Sequence, residues 1–135
     1  MNYIIEETTK KLFEEVKKSK RENDSVSDDL MSALNCVFGQ PLLSAFDLVD
    51  RNSVTKLTTP NRRELFKISG SSGKTYYCPS SLQFCPCPSF AFGVIKRGDL
   101  IMCKHILAVH LSIALQCCLE EKIAEKNFDT FLYEQ

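Results

Sequence analysis

The sequence predicts an α+β fold: N-terminal helices, a small antiparallel β-hairpin or three-stranded sheet, and a Cys/His cluster at the head of a buried C-terminal helix. Three observations carry this. Apolar residues recur at helical spacing up to Val49, the texture turns β-branched and alternating from Ser53, and Cys85-Pro-Cys87 and Cys103-Lys-His105 flank a fifteen-residue loop (88–102) ahead of a long apolar run. A chain of 135 residues is the length of one ordinary domain. It divides into an N-terminal helical region (1–52), a β-hairpin, Cys/His and helix module (53–125) and a C-terminal tail (126–135). With no Gly/Ser/Pro-rich linker between them, these parts are expected to form one compact unit.

Residues 3–20 place Ile5, Leu12, Phe13 and Val16 on a thin apolar stripe among Glu and Lys, which predicts an amphipathic helix. Ser25 with Asp28 three positions on resembles a capping box, and Leu30, Met31, Leu34, Val37 and Phe38 line one face of a second helix up to Gly39. Pro41 suits the first turn of a third helix, with Leu42, Phe46 and Val49 on one face and an end near Arg51-Asn52. Val54 to Thr58, Glu64 to Ser69 and Lys74 to Cys78 read as strands, the last two joined by Gly70-Ser-Ser-Gly73. The run from His105 through Cys117 and Cys118 is apolar nearly all round for its first three turns, which predicts a central, buried helix.

The composition, 44% hydrophobic and 25% charged, is that of a globular protein rather than a disordered or membrane one. No apolar run reaches the roughly eighteen residues of a membrane span, and the acidic N-terminus predicts no secretory signal. Seven cysteines without such a signal point to a reducing compartment, where clustered thiols bind metal or do redox chemistry. The formal charge is zero but segregated: from Arg51 to His105 nine basic residues face two acidic ones, and the flanks are acidic. Such a centre can face nucleic acid or an acidic protein, or be ordinary solvated surface.

Zinc takes Cys and His ligands in a tetrahedron, commonly as two close pairs brought together across a loop. In extended backbone Cys85 and Cys87 point to one face, and Pro86 and Pro88 keep the segment from coiling. Cys103 and His105, two apart, would diverge by about 200° on a helix. Cys103 is therefore expected just before the helix, with His105 in its first turn. There the unpaired amides and the helix dipole favour a thiolate, and Lys104 adds to that field. The rival ligand is Cys78, which would complete an all-cysteine site and free His105. Its aromatic strand Tyr76-Tyr77-Cys78 favours burial as a small hydrophobe. Cys36, Cys117 and Cys118 fall on apolar faces of predicted helices and read as packed side chains, and His110 is expected to point away from the metal.

C-x-C, a variable loop and then C-x-H at the head of an apolar helix resembles the SWIM zinc-binding domain. More narrowly, Cys103-Lys-His105-Ile-Leu-Ala108, Ala45-Phe-Asp-Leu-Val-Asp-Arg51, Gly70-Ser-Ser-Gly-Lys-Thr-Tyr-Tyr-Cys78 and Pro88-Ser-Phe-Ala-Phe92 resemble the SWIM-domain subunit of the Shu complex family. The resemblance implies one structural Zn2+ held by Cys85, Cys87, Cys103 and His105, with Ala108 on the close-packed side of the metal helix. It also implies a nuclear, non-enzymatic subunit that pairs with a RecA-like recombinase paralogue. Such a subunit supports homologous recombination in DNA repair by promoting or stabilising recombinase filaments on single-stranded DNA.

Three function classes compete. The adaptor expects a protein partner, DNA reached through the complex, and neither membrane nor small-molecule substrate. Direct single-strand binding would use Arg62, Arg63, Lys74, Lys96 and Arg97, with Tyr76, Tyr77, Phe90 and Phe92 for base stacking. Catalysis is disfavoured because four ligands close the zinc shell and no orienting group accompanies a cysteine nucleophile. The partner surface is expected on residues 3–20, 26–38 or 128–133, with Phe13 and Val16 among its exposed side chains.

Overall fold

A computed structural model describes residues 3–70 and 72–135. Three helices open the chain, α1 (Tyr3–Asn23), α2 (Asp28–Phe38) and α3 (Pro41–Asp50), followed by strands β1 (Val54–Thr58), β2 (Glu64–Ser69) and β3 (Thr75–Pro79). A π-helix spans Phe90–Lys96, then come α4 (Lys104–Ala114), β4 (Leu119–Lys122) and α5 (Glu125–Tyr133).

Each early boundary has a local cause. The cap of α2 is Ser27, whose hydroxyl accepts from Leu30 N–H, rather than the expected Ser25. Gly39, at φ +67°, stops the helix, and its N–H donates to the Asn35 carbonyl. Pro41 opens α3 at a position where its missing N–H costs nothing. The end of α3 is a Schellman turn: Asn52, in the left-handed region at φ 55°, donates to Val49 O and Ser53 donates to Leu48 O.

The sheet has four strands in the order β3-β2-β1-β4. β1 and β3 both run antiparallel to β2, Phe66 pairing with Lys56 on one side and Cys78 on the other, while β1 pairs in parallel with β4, Lys56 opposite Glu120. The expected three strands are present, and a fourth is added. Leu119–Lys122 is exposed throughout and carries no alternation, so no burial pattern marks it as a strand. The expected long helix ends accordingly at Ala114, because a second Schellman turn closes it: Gln116 (φ 58°) donates to Ile113 O and Cys117 to Ser112 O. Glutamine in place of the usual glycine is why the sequence hides this stop.

Period-two alternation gives the sheet two buried faces. Val54, Phe66, Ile68 and Cys78 pack with α1 to α4 in the main core, where Leu34, Leu42, Leu107, Val109 and Leu111 are almost wholly buried. α4 is central, buried from His105 to Val109 and again at Leu111, Ser112 and Ala114. Val16 of α1 is fully buried in the same core, so the expectation that it is a surface residue is corrected: the α1 stripe is closed by α4 and α2. Cys36 is exposed rather than packed, and Cys117 and Cys118 lie half-buried in the connection to β4 rather than on a helix.

On the opposite face Leu57 and Leu65 meet Phe128, with Tyr77, Ile123, Phe131 and Leu132 around them. The 128–133 segment is thus the greater part of α5 and is docked on the sheet. Arg63 pairs with Glu125 at 3.2 Å and Asp129 at 3.4 Å, its guanidinium 4.1 Å from the Phe128 ring centre. The Gln135 amide closes the free edge of β3, accepting from Tyr77 N–H and donating to Tyr77 O. Because this second core is separate from the first, Phe128→Ala is expected to cost about 3 kcal/mol and to release α5 without disturbing α4. Amide exchange should accelerate in 125–133 alone, and equal acceleration in α4 would contradict the division.

Candidate metal centre

Cys85 and Cys87 lie in the irregular segment between β3 and the π-helix, which leaves the sheet through a turn at Leu82 (φ 58°). Cys87 is a bend and Pro88 enters a helical turn directly after it, so Pro88 starts a turn rather than prolonging an extended segment as expected. Cys87 acts as the start of that turn: its carbonyl accepts from Phe90 N–H at 3.2 Å, and its sulfur lies 3.4 Å from the same nitrogen. Cys103 is extended (φ −76°, ψ 167°) and caps α4, with His105 in the first turn. The Cys103 and His105 half thus takes the form the spacing demands.

The four donor atoms of Cys85, Cys87, Cys103 and His105 lie within 4.8 Å of one another, and all four residues are buried. Cys85 Sγ is 3.7 Å from His105 Nδ1. With zinc bonds of about 2.3 Å to sulfur and about 2.0 Å to nitrogen, the edges of a tetrahedron are about 3.5–3.8 Å. Three sulfurs and one imidazole, buried and convergent, suit zinc. The tilted ring of Tyr76, 4.4 Å from the His105 ring centre, holds the imidazole from one side. Its place on β3 beside Cys78 turns it toward the main core rather than toward solvent bases.

Electrostatics favour a cation at the centre. Hydrogen bonds from Cys103 and then Cys85 hold the Cys87 thiol well below its ordinary range, and Phe90 N–H adds to them. Cys103 is pushed up by its bonds to Cys85 and Cys87 and by burial. For Cys85 the bond with Cys103 acts downward, but those with Cys78 and Cys87, together with burial, outweigh it and raise the thiol. One thiolate, at Cys87, is thus held by two neighbours that keep their protons, and a divalent cation bound here would displace those protons and be met by three thiolates.

Cys78, fully buried on β3, neighbours Cys85 but stands outside the four-donor group. His110 faces the other way and stacks on Phe13, with ring centres 4.7 Å apart and planes at 7°. Ala108, wholly buried, follows His105 by three residues on the same helix face.

The basic candidates are dispersed. Arg62 is exposed in the β1–β2 turn (φ 65°), and Arg63 beside it is engaged with α5. Lys74 lies 5.4 Å from the Tyr76 ring centre at the far end of the β2–β3 hairpin, about 20 Å along the strands from Arg63. Lys96 sits 5.7 Å from the Phe92 ring centre, and Arg97 pairs with Asp99 at 3.2 Å.

A Cys3His cluster split between a C-x-C in an irregular segment and a helix-capping C-x-H, behind a β-hairpin, defines a SWIM-type zinc-finger protein. The chain belongs to the family of zinc finger SWIM domain-containing protein 7. It is 37% identical to that protein of Mus musculus over 134 residues (99% of this chain, 88% of the mouse protein). To that of Danio rerio it is 38% identical over 135 residues (100% and 96%). To that of Homo sapiens it is 35% identical over 132 residues (98% and 94%). No protein-family model and no solved structure matches the chain.

Two outcomes follow for the purified protein. Cys85→Ala and His105→Ala are expected to lose the metal, whereas Cys78→Ala should keep one zinc per chain by metal analysis; zinc loss in the last would make Cys78 a ligand. His110 supplies a pH test, because burial lowers its pKa from the ordinary 6.5 to about 4. Between those values the unfolded chain binds a proton that the folded chain refuses, so stability falls with falling pH through that window, by at most about 1.4 kcal/mol per pH unit. In urea unfolding at pH 7, 6 and 5 with zinc in excess, His110→Phe should flatten the slope by one proton.

Proposed function

We propose that this chain is a zinc-stabilised, non-enzymatic adaptor of the nucleus. It pairs with a RecA-like recombinase paralogue and supports homologous recombination by promoting or stabilising recombinase filaments on single-stranded DNA. The observation that carries the reading is the buried four-donor cluster at the head of α4 in a chain of the SWIM protein 7 family. Its motifs also resemble the Shu complex subunit that has this role. One structural zinc is the cofactor, and Ala108 supports the helix that carries His105. A shell filled by four protein donors leaves zinc no position to activate water or substrate, which supports a binding role over catalysis.

Direct single-strand binding by the isolated chain is the weaker reading. Arg51, Lys56, Arg63 and Arg97 all pair with carboxylates of the chain itself, which reduces the charge free for a phosphate backbone. Co-expression with the RecA-like paralogue of the same organism tests the adaptor. The wild-type chain is expected to co-purify with the paralogue and with one zinc, and Cys85→Ala to lose both together. A metal-free variant that binds the paralogue as tightly as wild type would overturn the structural role of zinc. Salt-sensitive single-strand binding by the isolated chain, with none contributed by the paralogue, would favour direct contact.

A further inference from the structure

The π-helix adjoining the metal centre presents an apolar face that the fold does not cover. Phe90 and Gly93 are buried and Val94 is half-buried, whereas Ala91, Phe92, Ile95 and Lys96 are exposed. With one turn taking slightly more than four residues, positions 91, 92, 95 and 96 share a side. Phe92 is 54% exposed and Ile95 68%, and Phe84, 51% exposed, leans edge-on against Phe90 from the segment before Cys85. Large apolar side chains grouped this way on a segment of rare geometry mark an interaction surface.

The segment is rigidly tied to the cluster. Cys87 O and Sγ anchor its first turn, and Arg97 N–H donates to Phe92 O at its end. Asp99 and Leu100 both donate to Gly93 O, and Leu100 packs so close to Gly93 that a Cβ there would meet Leu100 Cδ1 at 2.5 Å.

The charge around the face selects the occupant. Lys96, Arg97 and Lys104 stand against Asp99 alone between 88 and 105. Lys96 lies over the Phe92 ring, whereas Arg97 is neutralised by Asp99 and Lys104 lies beside Leu43, Ser44 and Asp47 of α3, so Lys96 borders the apolar face without a row of cations that could follow a phosphate backbone. By contrast, the groove between α1 and α4 is rimmed by Glu6, Lys10, Glu14 and Lys17, whose mixed signs select nothing.

We infer that the Phe92, Ile95 and Lys96 face of the π-helix is the docking surface for the partner protein, and that it receives an acidic segment carrying a large apolar anchor. This rests on the adaptor reading, with the RecA-like paralogue as the partner. The test uses the zinc-loaded full chain and purified paralogue, with Phe92→Ser, Ile95→Ser and Lys96→Glu measured by calorimetry or interferometry alongside zinc content and melting temperature.

Phe92→Ser is expected to weaken binding by about 30-fold or more, as loss of a central anchor does, and Lys96→Glu by about 10-fold, with one zinc retained in both. Phe13→Ser, in the α1 groove, should leave affinity within about 2-fold. Wild-type binding left intact by the π-helix variants overturns the surface assignment while sparing the adaptor reading. No wild-type binding overturns the adaptor reading, and the surface with it. Variants that lose single-strand affinity but keep the paralogue would overturn the protein occupant in favour of nucleic acid.

Discussion

The convergence of three buried sulfurs and one imidazole is the constraint on which the middle of this protein depends. Without a cation, concentrating that much thiolate character in a core would be costly. With zinc, apparent binding free energies of about 10–16 kcal/mol at neutral pH become folding free energy. That is as large as the roughly 5–15 kcal/mol by which a whole domain is stable. The site is therefore part of the core rather than an addition to its surface. Cys78, Cys85, Cys87 and Cys103 belong to the same buried cluster as Phe66, Ile68 and Leu107.

The constraint reaches the helices through α4. That helix is buried on nearly every side and packs chiefly against α3, with α1 across another face and β1 and β2 beneath. Its N-terminus has no side-chain hydrogen-bonding cap of the usual serine or aspartate kind. Cys103 stands at that position instead, where its sulfur meets the positive end of the helix. One ligand pair thus both ends the loop and starts the central helix, so metal geometry and helix placement are set together. Ala108, three residues after His105, is wholly buried, so any larger side chain there must displace packed neighbours.

What the sequence revealed and what it concealed divide along the same physical line. The convergence of the two pairs was legible because Cys103 and His105 can point together only at a helix start, as they do. Strands 54–58 and 64–69 were legible from β-branched and apolar residues set between turns, although burial on both faces blurs their alternation. β4 was not, since Leu119-Glu-Glu-Lys122 is an exposed edge strand held by backbone pairing to β1 and by Glu120 near Lys56. The true end of α4 was hidden because Gln116 adopts the left-handed turn that glycine would have announced. Val16 read as surface because α1 alone shows its stripe, and only tertiary packing shows what covers it. Among the described residues one core joins the first helices to α4, and another joins the C-terminal segment to the sheet.

The π-helix is explained by what ordinary helical winding would do to the same residues. At about 100° per residue, an α-helix would bring Arg97, seven positions after Phe90, back beneath the buried Phe90 ring. An unpaired guanidinium there would cost several kcal/mol. Winding with hydrogen bonds that span five residues, about 80° per residue, carries Arg97 to the opposite side instead. There it meets Asp99 in solvent, while Phe90 stays in the core and Gly93 lets Leu100 close over the inner surface. Such winding is intrinsically unfavourable and needs fixed ends. Cys87 provides one end, and the return to Cys103 provides the other. The geometry that exposes Phe92 and Ile95 is thus sustained by Cys87 and Cys103, two members of the four-donor cluster.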